Sequence, residues 1–248
     1  MSTLLFYERL TPLNRDAHAC LRLRAAGFVF AARTNSTPLL AVEIAEAARS
    51  FPVLFADIGQ GQVFPIALLG LRNAENLFVD AEGAWEADCY VPAFVRRYPF
   101  VLTSDMTVLI DESYPGLNET DGEPLFQEDG SNSPQLEHTL SFLRGFHDEV
   151  ERTQTLVATL AEFDLLKPVS LNVVPQGGDS YRLDGLQVVD SEKLAALGGE
   201  AVLRLFRSGE LAAVQAHLVS LGGLDALNRR SAARPQPAID ADQAQQQD

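Results

Sequence analysis

Residues 51–71, FPVLFADIGQGQVFPIALLGL, carry the reading on which the fold turns. The triplet Gly59-Gln60-Gly61 resembles the start of a GxGxxG nucleotide loop. That reading fails, because the third glycine position holds Phe64 and no amphipathic helix follows. The flanking runs Val53–Ile58 and Val63–Leu69 are rich in β-favouring residues, so the triplet reads as the turn of a β-hairpin. The prolines at 52, 65 and 92 follow an apolar residue each time and mark strand starts or edges, where a missing N–H is tolerated.

Outward from this hairpin, residues 1–24 read as an extended arm with a turn at Pro12 and Asn14. Phe28–Ala32 and Leu39–Val42 read as strands, Glu43–Ser50 as a short helix, and Val101–Asp111 as one more strand. The stretch 112–132 is acidic, with Glu112, Glu119, Asp121, Glu123, Glu128 and Asp129, and reads as a long surface loop. Ser133-Pro134 then gives an N-cap and first-turn proline to a helix running to about Phe163. Its stripe of Leu136, Leu140, Leu143, Phe146, Val150, Leu156 and Leu160 has helical spacing. Val169–Val174 and Tyr181–Val189 flank a Gly-rich turn at 175–179, and Asp190-Ser191 caps short helices broken at Gly198-Gly199 and Ser208-Gly209. The fold class expected is α+β: a β-rich N-terminal half, a long helix, a β-hairpin and short C-terminal helices. Residues 1–228 are expected to form a single domain (β-rich 1–112, acidic loop 112–132, helix, hairpin and helices 133–228). The low-complexity tail 229–248 is expected to be disordered.

The 248 residues carry 34 acidic against 19 Lys and Arg side chains, a formal charge of −15. That excess opposes nucleic-acid phosphates and anionic membrane surfaces alike. No signal-peptide pattern opens the chain and no run reaches the ~18 apolar residues of a membrane span. Cytoplasmic residence is expected, although a secretion route without an N-terminal signal would leave no mark. Cys20 and Cys89 do not make a disulfide scaffold, and whether they pair is left open.

Asn76–Leu102, NLFVDAEGAWEADCYVPAFVRRYPFVL, concentrates the candidate site. Asp80-Ala81-Glu82-Gly83 supplies turn chemistry before the single tryptophan, Trp85. Asp80, Glu82, Glu86 and Asp88 offer oxygens suited to a hard cation but lack the EF-hand spacing, and read as a solvated turn. Pro92 and Pro99 bracket one turn of helix, and Pro99 pushes Tyr98 toward an extended shape. Arg96 and Arg97 have the chemistry to grip a phosphate or carboxylate, although pairing with the chain's own acids is the commoner use. Trp85, Arg96, Arg97 and Tyr98 are therefore the candidate ligand or partner contacts.

No GxSxG elbow, Walker loop, HExxH or CxxC is present, and no catalytic residues, metal ligands or cofactors are assigned. His18 and Cys20 lack a second ligand pair. His147, Glu149 and His217 loosely match a facial triad, but the first two point about 200° apart on a helix.

The chain resembles the SapC family of bacterial proteins. The resemblance rests on TPLNRDAH at 11–18, FVFAARTNSTPLLAVE at 28–43, FPIALLGLRNAENLFVDAEGAWEADCYVPAFVRRYPFVL at 64–102 and GEPLFQEDG at 122–130. It extends over about 6–224. It implies a setting beside a surface layer or TonB-dependent uptake system, and carries no catalytic residues with it. The expectation is a non-catalytic interaction or accessory protein with a protein partner. The alternative is an oxygenase-like or protein-modifying enzyme with its site near Trp85–Arg97.

Overall fold

The computed structural model describes residues 5–59, 61–173 and 180–234. The hairpin at 51–71 lies at the centre of a five-stranded antiparallel sheet. Its strands β4 (Val53–Asp57) and β5 (Val63–Leu68) pair Val53 with Ala67 and Asp57 with Val63. β3 (Ser36–Pro38) flanks β5, while β11 (Tyr181–Val189) and then β10 (Leu166–Val173) continue beyond β4. The central strands are buried along most of their length, which explains why they read as near-continuous apolar runs. A second, three-stranded sheet orders β1 (Leu10–Pro12), β7 (Val108–Asp111) and β6 (Phe100–Leu102). A small third sheet sets β2 (Arg22–Leu23) between β8 (Leu117–Asn118) and β9 (Glu123–Pro124).

Helices α1 (Ile44–Ala47) and α2 (Ala93–Arg96) are single turns, and α3 (Pro134–Glu162) is the long one. The Ser133 hydroxyl accepts from the Leu136 amide at 3.1 Å, and Pro134 occupies the first turn. After β11 come α4 (Ser191–Ala195), α5 (Gly199–Ser208), α6 (Glu210–Ser220) and α7 (Leu224–Ala233). At 29 residues α3 spans about 44 Å and reaches two cores. Leu136 and Leu143 pack with Phe100, Ile110 and Leu125. Leu156 and Leu160 join the main core around Leu54, Phe55 and Leu69. Phe146 lies between them and packs on an aromatic cluster with Phe6, Phe30, Phe94 and Tyr98. The α+β class is as read.

Five local readings change. Phe28–Ala32 is not a strand but a 3₁₀ turn at Val29–Ala31: Phe28 and Phe30 turn into the aromatic cluster and Val29 is exposed. Leu39–Val42 likewise enters a 3₁₀ turn at Ala41–Glu43, and the strand lies earlier, at Ser36–Pro38. Val101–Asp111 is two strands, because the Thr103 hydroxyl takes the Thr107 amide at 3.1 Å and Met106 adopts φ 64°, closing a turn. The acidic loop contributes β8 and β9. Finally, helix α7 runs through 229–233, where disorder was expected: Arg230 pairs with Glu86, and Arg234 donates to the Asn76 and Val79 carbonyls. The glycine turn at 175–179 and the tail from 235 lie outside the described residues.

His217, on α6, is fully buried and replaces one rung of the main sheet. The β11–β4 ladder pairs Leu186 with Ala56 and Gln187 with Phe55, then stops. The imidazole bridges the next pair of backbone groups. Its Nδ1 lies 2.8 Å from the Val53 carbonyl and its Nε2 accepts from the Val189 amide at 3.0 Å. This requires the neutral ring with the proton on Nδ1. Burial lowers its pKa to about 4, with the bond to the Val53 carbonyl working in the opposite direction.

Candidate functional site

The site is built by Val91–Phe100. Pro92 is the N-cap of α2, one position earlier than a first-turn proline, and Glu43 locks the turn in place. The Glu43 carboxylate is buried. Its Oε1 accepts from the Ala93 amide at 2.6 Å and the Tyr90 hydroxyl at 2.8 Å, and Oε2 accepts from the Leu40 amide at 2.9 Å. Burial, then the charge of Glu43, pushes the Tyr90 phenol up to about 12. So held, α2 turns Phe94 and Arg97 inward and leaves Arg96 at the surface.

The two arginines have opposite circumstances. Arg96 donates to the Val91 carbonyl at 3.0 Å, lies 4.0 Å from Glu43 and covers the Phe142 ring at 5.2 Å. Arg97 is only 8% exposed, and among the described residues no carboxylate acts on its charge. Its guanidinium carbon lies 4.1 Å from the Phe94 ring centroid and 4.6 Å from that of Phe146. Its Nε is buried with no acceptor. Burial lowers its pKa, and the Tyr7 hydroxyl opposes this. Ring faces compensate a desolvated cation only in part, because they leave guanidinium N–H donors along the edge unpaired.

Arg97 is among the residues that line a cavity of about 510 Å³. Phe94, Phe146 and Val150 line it on one side, and Phe64, Ile66 and Pro38 line it from the main sheet. Asp57, Gln62 and Gln154 are exposed at its rim. The Asp57 carboxylate is engaged by the hairpin turn, accepting from the Gly59 and Gly61 amides at 2.7 and 3.1 Å. The size falls within the ~300–1,000 Å³ of small-molecule sites. A smaller cleft of about 260 Å³ lies beside it, bordered by Arg96, Arg97, Tyr98, His138 and Phe142.

The structure brings Trp85 and Tyr98 into the aromatic cluster that packs beside Phe94. Tyr98 stacks on Phe30 at 4.1 Å and donates to Asp111 at 3.2 Å, and its bond to Pro99 is cis. Burial raises its pKa, and Asp111 adds to the rise. Trp85 lies edge-on to Phe28 and Phe51 at 5.6 and 6.3 Å, with Nε1 buried and unpaired. Neither residue lines the larger cavity. Phe94 and Phe146 are the residues the sequence reading missed. Phe94 precedes Arg97 by three residues and so shares its helical face, which was a usable signal. Phe146 lies on the core stripe of α3, and nothing local separates it from its leucine neighbours.

The other candidates are otherwise engaged. Asp80 accepts the Glu82 and Ala84 amides, and Glu86 pairs with Arg230. His18 accepts from the Asn14 amide and meets Glu112 at 3.3 Å, and Cys20 and Cys89 are both free. Glu149 pairs with Arg152, and His217 is committed to the sheet. Among the described residues no three His, Cys, Asp or Glu side chains come together as a metal site, and no helix is long and apolar enough to cross a membrane.

Fold and site together define an acidic α+β protein with a buried cation that has no carboxylate partner among the described residues and lines a largely apolar cavity. The chain belongs to the SapC family, whose model matches residues 13–227. No curated protein and no solved structure matches it.

Proposed function

We propose that this chain is a non-catalytic interaction protein, an accessory factor of a bacterial surface layer or TonB-dependent uptake system, that works by receiving an anionic group at Arg97. The biological setting follows the family resemblance. The binding mode is supported by one observation: Arg97 is buried, lies within cation–π distance of the Phe94 and Phe146 rings, and has no carboxylate partner among the described residues. A buried cation left without its counter-charge costs stability, and a site that must accept an anion from outside has reason to carry that cost. The protein partner either brings the anionic group or responds to its capture.

The test is affinity isolation from the native host at physiological salt, with the tagged full chain and with its Arg97→Met variant. The expected result is a protein recovered reproducibly with the natural chain and depleted with the variant. Recovery of the tagged chain alone in both cases removes the reading.

A further inference from the structure

The geometry points to the chemical class of ligand: we infer that the cavity over Arg97 binds a small amphipathic monocarboxylate, head group inward, with an aliphatic or arylalkyl body. This rests on the reading of Arg97 as an anion receptor.

The argument starts from the head group. A guanidinium offers parallel N–H donors whose spacing matches the two oxygens of a carboxylate. Among the described residues that line the larger cavity, Arg97 is the only cationic side chain. Among the described residues neither a lysine nor the N-terminus of a long helix joins it there, so a phosphate dianion would keep much of its charge uncompensated. One guanidinium balances one carboxylate.

The body of the ligand follows from the walls. Pro38, Ile58, Phe64, Ile66 and Val150 also line the cavity and offer apolar contact. The exposed rim holds Asp57 and two amides, Gln62 and Gln154. A negative head group at that rim would face the Asp57 carboxylate, whereas at Arg97 it meets a guanidinium with no carboxylate partner among the described residues. The orientation is therefore fixed, with the carboxylate deep and the tail toward the hairpin of β4 and β5. A volume of about 510 Å³ has room for a chain of roughly ten carbons.

Calorimetric titration of the full chain with decanoate, methyl decanoate and decyl phosphate tests this. Decanoate is expected to bind at a single site, and the ester, with the same tail and no charge, about tenfold or more weakly. Decyl phosphate is expected to bind no better than decanoate. Val150→Trp, which fills the cavity from α3, abolishes binding, and Thr139→Trp, at a residue that lines only the neighbouring cleft, leaves it unchanged. Arg97→Met binds acid and ester alike. Equal binding of acid and ester to the natural chain overturns the inference, as does tighter binding of the phosphate, loss of binding in Thr139→Trp alone, or no binding by any probe. If no probe binds while Arg97→Met still loses its partner in the isolation experiment, Arg97 receives an acidic group of that partner. Anion reception then stands, and the small-molecule assignment falls.

Discussion

The guanidinium carbon of Arg97 stands 4.6 Å from the Phe146 ring centroid, so a cation on one turn of helix is buried against the middle of the longest helix. This contact lies where α3 passes from one core to the other, and the cavity opens beside it. A residue kept there for folding would be paired or apolar. Arg97 is charged and has no carboxylate partner among the described residues, and that gives a stability prediction distinct from any binding measurement. Arg97→Met keeps an unbranched apolar stem, shorter than arginine, while removing a desolvated charge and its unpaired Nε–H. It is expected to leave stability unchanged or raise it by about 1–2 kcal/mol. Urea denaturation at neutral pH measures this, and a loss of more than about 1 kcal/mol would show that the cation–π contacts outweigh the burial cost.

Phe146→Ala is expected to act in the opposite direction. The ring joins the aromatic cluster and covers Arg97, so truncation removes packing and lets water reach the guanidinium. The cost expected is about 2–4 kcal/mol, reduced from a full core deletion because the side chain is half-buried. Combining it with Arg97→Met should give a cost smaller than the sum of the two, since both changes remove the same contact. Strict additivity in this double-mutant cycle would mean the two side chains do not interact.

His217 makes stability depend on pH. Its folded-state pKa is lowered to about 4, against an ordinary 6.5. Between these values the unfolded chain binds a proton that the folded chain refuses, so stability rises with pH. The contribution is fully present above about pH 6.5 and is lost progressively as the pH falls toward 4, where about 3 kcal/mol has gone. His217→Leu removes this part of the slope. It also leaves the Val53 carbonyl and Val189 amide without the ring that pairs them, costing about 2–4 kcal/mol at neutral pH. Denaturation curves at several pH values test both halves, and an unchanged slope in the variant would refute the assignment to His217.

The sequence was most legible where local chemistry and burial agree. Ser133, Pro134 and the spaced leucines of α3 state the helix together, and the paired runs around Gly59–Gly61 state the hairpin. It was least legible where a side chain replaces backbone pairing or where a strand turns early. His217 completes a ladder that lies 28 residues away on β11 and 164 away on β4, which no local pattern reveals. At Thr103–Thr107 the hydroxyl and carboxylate bonds of a tight turn interrupt an apolar run long enough for one strand. At the site, Arg97 was visible as half of an arginine pair, but its isolation from acids was not. That depends on Glu43 being occupied by Tyr90 and Ala93 while Asp111 takes the Glu8, Arg9 and Ser113 amides.

Glu43 gives the last prediction, because it couples the fold to the site. Its carboxylate accepts from Ala93 and Tyr90 through one oxygen, which holds the start of α2, and from Leu40 through the other, which anchors Glu43 in its own 3₁₀ turn. A glutamine there keeps the shape but turns an amide NH₂ toward groups that are themselves donors. Glu43→Gln should therefore cost about 2–4 kcal/mol, more than the loss of one neutral hydrogen bond. It should also loosen α2 and misplace Phe94 and Arg97, weakening decanoate binding even though residue 43 does not line the cavity. Tyr90 provides an internal control. Its phenol is pushed up to about 12 by burial and then by Glu43, so spectrophotometric titration of the variant should show one tyrosine ionising at lower pH than before. A variant that shifts that tyrosine yet binds decanoate normally would show that α2 is held by its packing alone, and that the carboxylate latch does not position Arg97.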